Sequence, residues 1–162
     1  MINWSQFIAA IPELAAFGKQ RLESRIAYFA TIRLDGSPRV HPVSPFIASE
    51  HIFVYMEPTS PKVFDLRRDS RYAMHCAVED NSGGQGEFFV KGEVAEVGEP
   101  EVRAKAFEQA ELQGYNPQER YVLFELRIDE AMGTLYEEGE PKRVRWKADK
   151  ECNARSTTDE HR

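Results

Sequence analysis

The apolar positions of this chain keep a helical period at the start and then switch to strict alternation. Trp4, Phe7, Ile8, Ile11 and Leu14 recur at three- and four-residue spacing, which lays one apolar stripe along a helix. Asn3 and Gln6 match a capping box at its start. Pro12 fits the first position of a second helix, where its missing N–H is not needed. From Ile26 the period becomes two. Ile26, Tyr28, Ala30 and Ile32 point to one side, and Ala27, Phe29, Thr31 and Arg33 to the other. Asp35-Gly36 predicts a hairpin turn. The returning strand, 39–47, follows Pro38 and contains Pro42 and Pro45. Prolines donate nothing to a ladder, so this strand belongs at an edge or a bulge, where backbone groups can also turn toward a ligand.

A third strand is predicted over 51–57. Ser60 suits a helix N-cap and Pro61 the first helical residue, with the helix running to Arg68. Strands follow at 72–79 and, across a Gly-rich turn at 81–86, at 87–97. A helix over 100–113, a strand at 121–129 and two short strands at 132–136 and 143–147 complete the pattern. Many short hairpin-linked strands with a few inserted helices predict a mainly β fold, a small antiparallel barrel with helical decoration. Beyond Asp149 the chain is polar and aperiodic. Residues 1–149 are therefore expected to form one domain and 150–162 a flexible polar tail.

Composition narrows the function classes. At 162 residues and 41% hydrophobic content, the chain can build one sizeable core. A net charge of −6 argues against a nucleic-acid surface, which needs a clustered basic excess. Lys142, Arg143, Arg145 and Lys147 alternate with Val144 and Trp146, which reads as the outer face of a strand. Cys76 lies in an apolar run and Cys152 in the polar tail, so no structural disulfide is expected and a reducing compartment is. There is no basic-then-apolar leader, and no apolar run near the roughly 20 residues that span a bilayer. The expectation is a soluble, cytoplasmic protein without a membrane partner.

The candidate chemistry lies between Arg39 and Lys62. A helix N-terminus offers free N–H donors and the positive end of its dipole. Ser60 adds a hydroxyl and Lys62 a full charge in the first turn, while Arg39 comes from the preceding hairpin with a guanidinium suited to phosphate oxygens. Taken singly, each is as well explained by a capped helix with solvated cations. Together, on adjacent elements, they favour an anion site. Tyr55 and Met56 end the strand before that helix, and Val40 to Val43 lie on the proline-rich strand. Such strands can offer backbone groups to the edge of a flat ring and apolar side chains to its face, although Tyr55, Phe53 and Val43 alone read as core. His41, His51, His75 and His161 show no metal-ligand spacing, and His75 and Cys76 point to opposite faces of a strand. His41, beside Arg39, is a candidate proton relay or ligand contact. With no Ser-His-Asp set, paired-carboxylate motif or Gly-rich phosphate loop, redox chemistry would be carried by a cofactor.

These pieces, in this order, resemble the flavin-binding split-barrel proteins related to pyridoxamine 5′-phosphate oxidase. The segments that carry the resemblance are ATIRLDGSPRVHPV, IFVYMEPTSPKVFDLRRDSRYAM and FFVKGEVAEV, within about residues 22 to 147. The resemblance implies a six-stranded antiparallel Greek-key split barrel, here with N-terminal helices, forming a homodimer with FMN in clefts at the subunit interface. It implies that Arg39 opens the flavin-contacting strand and that Val40, His41, Pro42 and Val43 lie along the isoalloxazine ring. It further implies that Tyr55 and Met56 contact the ring and that Ser60 and Lys62 bind the phosphate. Glu87 stands where the oxidases carry a ring-contacting glutamine, and Ser44 where they carry a lysine. Trp146 resembles an aromatic that reaches the cofactor of the other subunit.

The oxidases hold their pyridoxal phosphate through a C-terminal Arg-x-His element. Here Arg143-Val144-Arg145-Trp146 stands in its place, so pyridoxamine phosphate oxidation is not expected. The resemblance thus implies an FMN-dependent oxidoreductase acting on a small molecule. Two alternatives stay open: the deazaflavin F420, which related split barrels use, and a non-catalytic flavin or haem binder.

Overall fold

The computed structural model describes residues 1–81 and 85–149. The expected polar tail, with Cys152 and His161, lies outside the described residues, as does the centre of the 81–86 turn. At the start, α1 (Trp4–Ala10) and α2 (Pro12–Leu22) meet at Ile11. The Asn3 side chain accepts from the Gln6 N–H at 2.8 Å and the Gln6 side chain accepts from the Asn3 N–H at 2.9 Å, so the predicted capping box is formed. Trp4, Phe7, Leu14 and Leu22 are buried in the main core. Ile8, which spacing puts in the same stripe, is exposed instead.

The sheet follows: β1 (Ala27–Ile32), β2 (Pro38–Val43), β3 (Phe46–Ala48) and β4 (His51–Met56), then α3 (Pro61–Arg68) and β5 (Arg71–Cys76). After these come β6 (Glu87–Glu96), α4 (Pro100–Leu112), β7 (Val122–Leu126), β8 (Glu130–Glu137) and β9 (Glu140–Lys147). Neighbours run β2-β1-β5-β6-β7-β4-β3, with β8 bridging β6 to β9 and every pairing antiparallel. This is a mainly antiparallel β fold, a curled sheet forming a split half-barrel with N-terminal helices. The run 39–47, predicted as one strand, is two. Ser44-Pro45 breaks it, and the chain passes from β2, paired with β1, to β3, paired with β4. No helix among the described residues is long and apolar enough to cross a membrane.

The long strand β6 joins the two halves. Glu87 to Lys91 pair with β8, whereas Val94 to Glu96 pair with β7. Gly92 sits at the changeover, where a Cβ atom would lie 2.0 Å from the Arg127 carbonyl oxygen. That backbone is pinned, because the Arg127 N–H donates to Glu93 O at 3.1 Å and the Asp129 N–H to Lys91 O at 2.9 Å. A Gly92→Ala protein should therefore lose about 2–3 kcal/mol, the cost of forced overpacking, read as a lower urea midpoint at unchanged slope.

Coverage of the sheet is uneven. The outer side of β3, β4 and β7 is packed by α4, whose Ala106 and Ala110 meet Phe46, Phe53 and Leu123. With cover on both sides, Ile52, Phe53 and Val54 are all buried and β4 does not alternate. Among the described residues, no such helix covers the outer side of β1 and β2. Ile26, Tyr28 and Val40 there are 51%, 50% and 63% exposed.

Candidate functional site

Alternation along β2 sorts the predicted residues. Arg39, His41 and Val43 turn inward, while Pro38, Val40 and Pro42 are exposed on the other side. Among the described residues β2 pairs only with β1, which makes it an edge strand, and there the missing proline N–H groups are harmless. Thr31 lies opposite Arg39 in the β1–β2 register, and α3 packs against β1. These contacts bring Arg39 to the flank of α3.

The meeting point is Asp65, a residue the motif reading passed over. Its carboxylate is 4% exposed and accepts from the Thr31 hydroxyl at 2.7 Å, the Arg39 Nε at 2.7 Å and the Arg68 Nη2 at 3.1 Å. Burial alone would push Asp65 up, but these hydrogen bonds outweigh it and hold the group below the usual carboxylate range. Arg39 spends its Nε on Asp65, and its Nη groups make no hydrogen bond among the described residues. Two guanidiniums against one carboxylate leave a net positive charge. The signal in the sequence was a carboxylate between Val63 and Leu66, both buried positions of a short helix. A charge there needs partners, and only the register of β1 with β2 shows which ones.

Ser60 occupies the N-cap of α3 and Pro61 the first helical position, as expected, but the Ser60 hydroxyl makes no capping bond. Its Oγ instead accepts from Lys62 Nζ at 3.1 Å. Lys62 is half-buried, and burial lowers its pKa. The only hydrogen bond its ammonium makes among the described residues is to that hydroxyl. Burial, helped by the positive charges of Lys62 and Arg39, also holds His41 below its ordinary range, so its ring is neutral at neutral pH. Lys62, with Ser60 bonded to it, and Arg39 thus both act on His41, and these four residues make up a basic cradle around the start of α3.

A cleft of about 450 Å³ opens beside it, lined by Pro42, Val43, Ser44, Tyr55, Lys62 and Tyr121 among others. One wall is a run of rings. Phe46 stacks on Tyr55 at 5.4 Å, Tyr115 lies 5.6 Å from Phe46, and Tyr121 lies 6.5 Å from Tyr55. The segment after α4 is fastened over this wall: the Tyr115 hydroxyl donates to Pro45 O at 2.8 Å and Gln113 Nε2 to Ile47 O at 2.7 Å. Burial pushes the Tyr55 phenol up, so it remains a donor at neutral pH. Tyr115 and Tyr121 were not foreseen, because nothing local links the α4–β7 connection to β3. The arrangement offers cations at one end and a flat aromatic slot at the other.

Other predicted residues fall elsewhere. The Met56 side chain is 2% exposed and points into the core, so only its backbone can meet a ligand. Val40 is on the outer face. Glu87 lies across the sheet with its Oε1 3.6 Å from His75 Nε2. Trp146, on β9, packs edge-on against Phe7 at 5.3 Å and is far along the sheet order from β2. Lys142, Arg143, Arg145 and Lys147 are exposed and Val144 and Trp146 half-buried, as the alternation predicted. No group of three or more metal-ligating side chains occurs among the described residues.

A split half-barrel whose edge strand and following helix start enclose a basic cradle defines the class of protein. This chain belongs to the pyridoxamine 5′-phosphate oxidase family, whose N-terminal family model matches residues 12–135. No curated protein matches it by sequence. Solved structures share its fold at low identity. A heme binding protein from Mycobacterium smegmatis superposes at TM-score 0.59 and 14% identity, over 80% of this chain and 57% of that one. HutZ, the heme storage protein from Vibrio cholerae, gives 0.54 and 18% over 74% and 89%. An F420 reductase gives 0.55 and 18% over 70% and 94%.

Proposed function

We propose that this protein binds FMN and acts as a flavin-dependent oxidoreductase on a small molecule. The observation that carries the reading is the half-buried Lys62, bonded to Ser60, in the lining of a slot walled by Phe46, Tyr55 and Tyr121, with the Arg39 guanidinium held against α3 by Asp65. A desolvated ammonium and a guanidinium with free Nη groups suit a phosphate dianion. Pro42, Val43 and Tyr55 suit a planar ring. Lys62, Ser60 and Arg39 would hold the phosphate, and bound FMN would supply the hydride and electron chemistry. The protein's own part is orientation, exclusion of water by the aromatic wall, and a neutral His41 beside the cradle.

The same reading includes a homodimer, supported by the uncovered apolar face of Ile26, Tyr28 and Val40. Trp146 would then reach the partner's cleft. A haem reading draws less from the side chains. Interaction with the Cys76 side chain, helped by the Cys76 carbonyl 2.6 Å from Nδ1, lifts His75 to about 9 in spite of burial. Iron binding at His75 would have to displace that proton.

The test is a side-by-side titration of the purified protein with FMN, F420 and haem. Saturable changes in flavin fluorescence and visible spectrum are expected with FMN, together with reduction of the bound flavin by NADH or NADPH. Saturation by F420 alone would replace the cofactor. A Soret band that disappears in His41→Ala, without flavin binding, would overturn the reading.

A further inference from the structure

A second cleft, of about 510 Å³, lies on the other flank of α3, between the β1–β2 hairpin and the helix, and shares only Arg39 with the proposed flavin site. Its chemistry has two parts. Arg33, Arg39 and Arg68 line it, against the carboxylates of Asp35 and Asp65. Asp35 is turned into its own hairpin, accepting from the Ser37 N–H at 2.9 Å and the Ser37 hydroxyl at 2.6 Å. Asp65 is saturated by Thr31, Arg39 and Arg68. Three guanidiniums against these two carboxylates leave the cleft a net positive charge.

The second part is apolar. Phe64 is 56% exposed and Leu34 is 83% exposed, yet both line this cleft. Phe64 is not part of the buried stripe of α3, which is Val63, Asp65 and Leu66. It stands one helical turn before Arg68, at the i, i+4 spacing that puts two side chains side by side. An aromatic platform beside guanidiniums is the surface that recognises a heteroaromatic base carrying phosphate. Arg39, Thr59 and Pro61 border this cleft, Pro61 is followed in the chain by Lys62, which lines the first, and Arg39 also belongs to the cradle. A diphosphate could therefore run from one cleft to the other.

We propose that the second cleft is an adenosine-phosphate subsite, with Phe64 stacking the purine and Arg33 and Arg68 meeting the phosphates. The proposal rests on the flavin reading for its continuity with the first cleft. The adenosine phosphate can come from the same molecule, as the second half of FAD, or from a separate adenine nucleotide beside FMN.

The experiment compares FMN and FAD affinities by fluorescence titration, and ADP binding to FMN-saturated protein by calorimetry. It uses the native chain and a Phe64→Ala/Arg33→Ala variant, with thermal melts to check folding. Both residues are exposed, so the variant should melt with the native protein. If the adenosine is part of FAD, FAD binds about tenfold or more tightly than FMN, and the variant abolishes the difference while leaving FMN unchanged. If it is separate, FMN and FAD bind alike and ADP binds the FMN-loaded protein, again lost in the variant. Equal flavin affinities with no ADP binding overturn the subsite and leave FMN binding intact. ADP binding that the variant removes, in a protein that takes no flavin, keeps the subsite and overturns the flavin reading. A variant that weakens FMN as much as FAD, or a protein that binds none of the three, overturns the subsite.

Discussion

The Arg39→Ala/Lys62→Ala double variant should bind FMN at least about a hundredfold more weakly than the native protein. Each hydrogen bond from a charged donor is worth about 1.5–3 kcal/mol, and tenfold in affinity corresponds to about 1.4 kcal/mol. Losing both cations therefore removes roughly two to four orders of magnitude. Lys62 is the cleaner probe, because its ammonium is bonded only to Ser60 among the described residues. Arg39 is less clean, since Asp65 depends on it. Lys62→Ala alone should account for a tenfold or greater loss with an unchanged melting temperature. Affinity of the native protein should also fall as salt is added, and the double variant should lose most of that dependence. Unchanged FMN affinity in the double variant would remove Arg39 and Lys62 from the site, whatever the cofactor.

Asp65→Ala is expected to destabilise the fold by about 3–5 kcal/mol, the range for breaking a buried ion pair by removing one partner. The Arg39 Nε would lose its acceptor in a half-buried position, the buried Thr31 hydroxyl its own, and Arg68 one of two. Asp65→Asn should cost less, because an amide oxygen still accepts while the charge is gone. The pH dependence separates charge from shape. Asp65 titrates below its unfolded value in the folded protein, so its charge contributes stability fully above the ordinary carboxylate range. That contribution disappears as pH falls through the lower, folded value. The stability gap between native and Asp65→Asn proteins, from urea unfolding, should be widest near neutral pH and close in acid. A gap that stayed constant into acid would show that Asp65 acts through shape alone.

These residues illustrate how far the sequence reached into the site. Arg39, Ser60 and Lys62 were visible because each sits at a position whose chemistry is local: an edge strand, an N-cap, a first helical turn. Asp65 was passed over because its role depends on a strand register. Thr31 and Arg39 reach it only once β1 and β2 pair and α3 lies against them. Ser60 was correctly placed at the cap, yet its hydroxyl serves Lys62 and not the backbone. Met56 shows the reverse failure: its place at the end of a strand was evident, but not that its side chain turns into the core.

By itself the sequence determined the elements and most of the cradle. Alternation from Ile26, the Asp35-Gly36 turn, the prolines of β2 and the Asn3/Gln6 capping box are short-range patterns, and the local backbone obeys them. It also carried the resemblance by which the family was recognised. Only the tertiary structure decided what required elements to meet. It divided 39–47 at Ser44-Pro45 and made Gly92 the point where β6 changes partner. It brought Tyr115 and Tyr121 from the α4–β7 connection onto Phe46 and Tyr55. It also left Phe64 exposed beside the arginines of a second cleft. The physical reason is that periodicity and capping are written in neighbouring residues. A cleft wall, a buried carboxylate's partners and an uncovered apolar face are set by packing between segments distant in the chain.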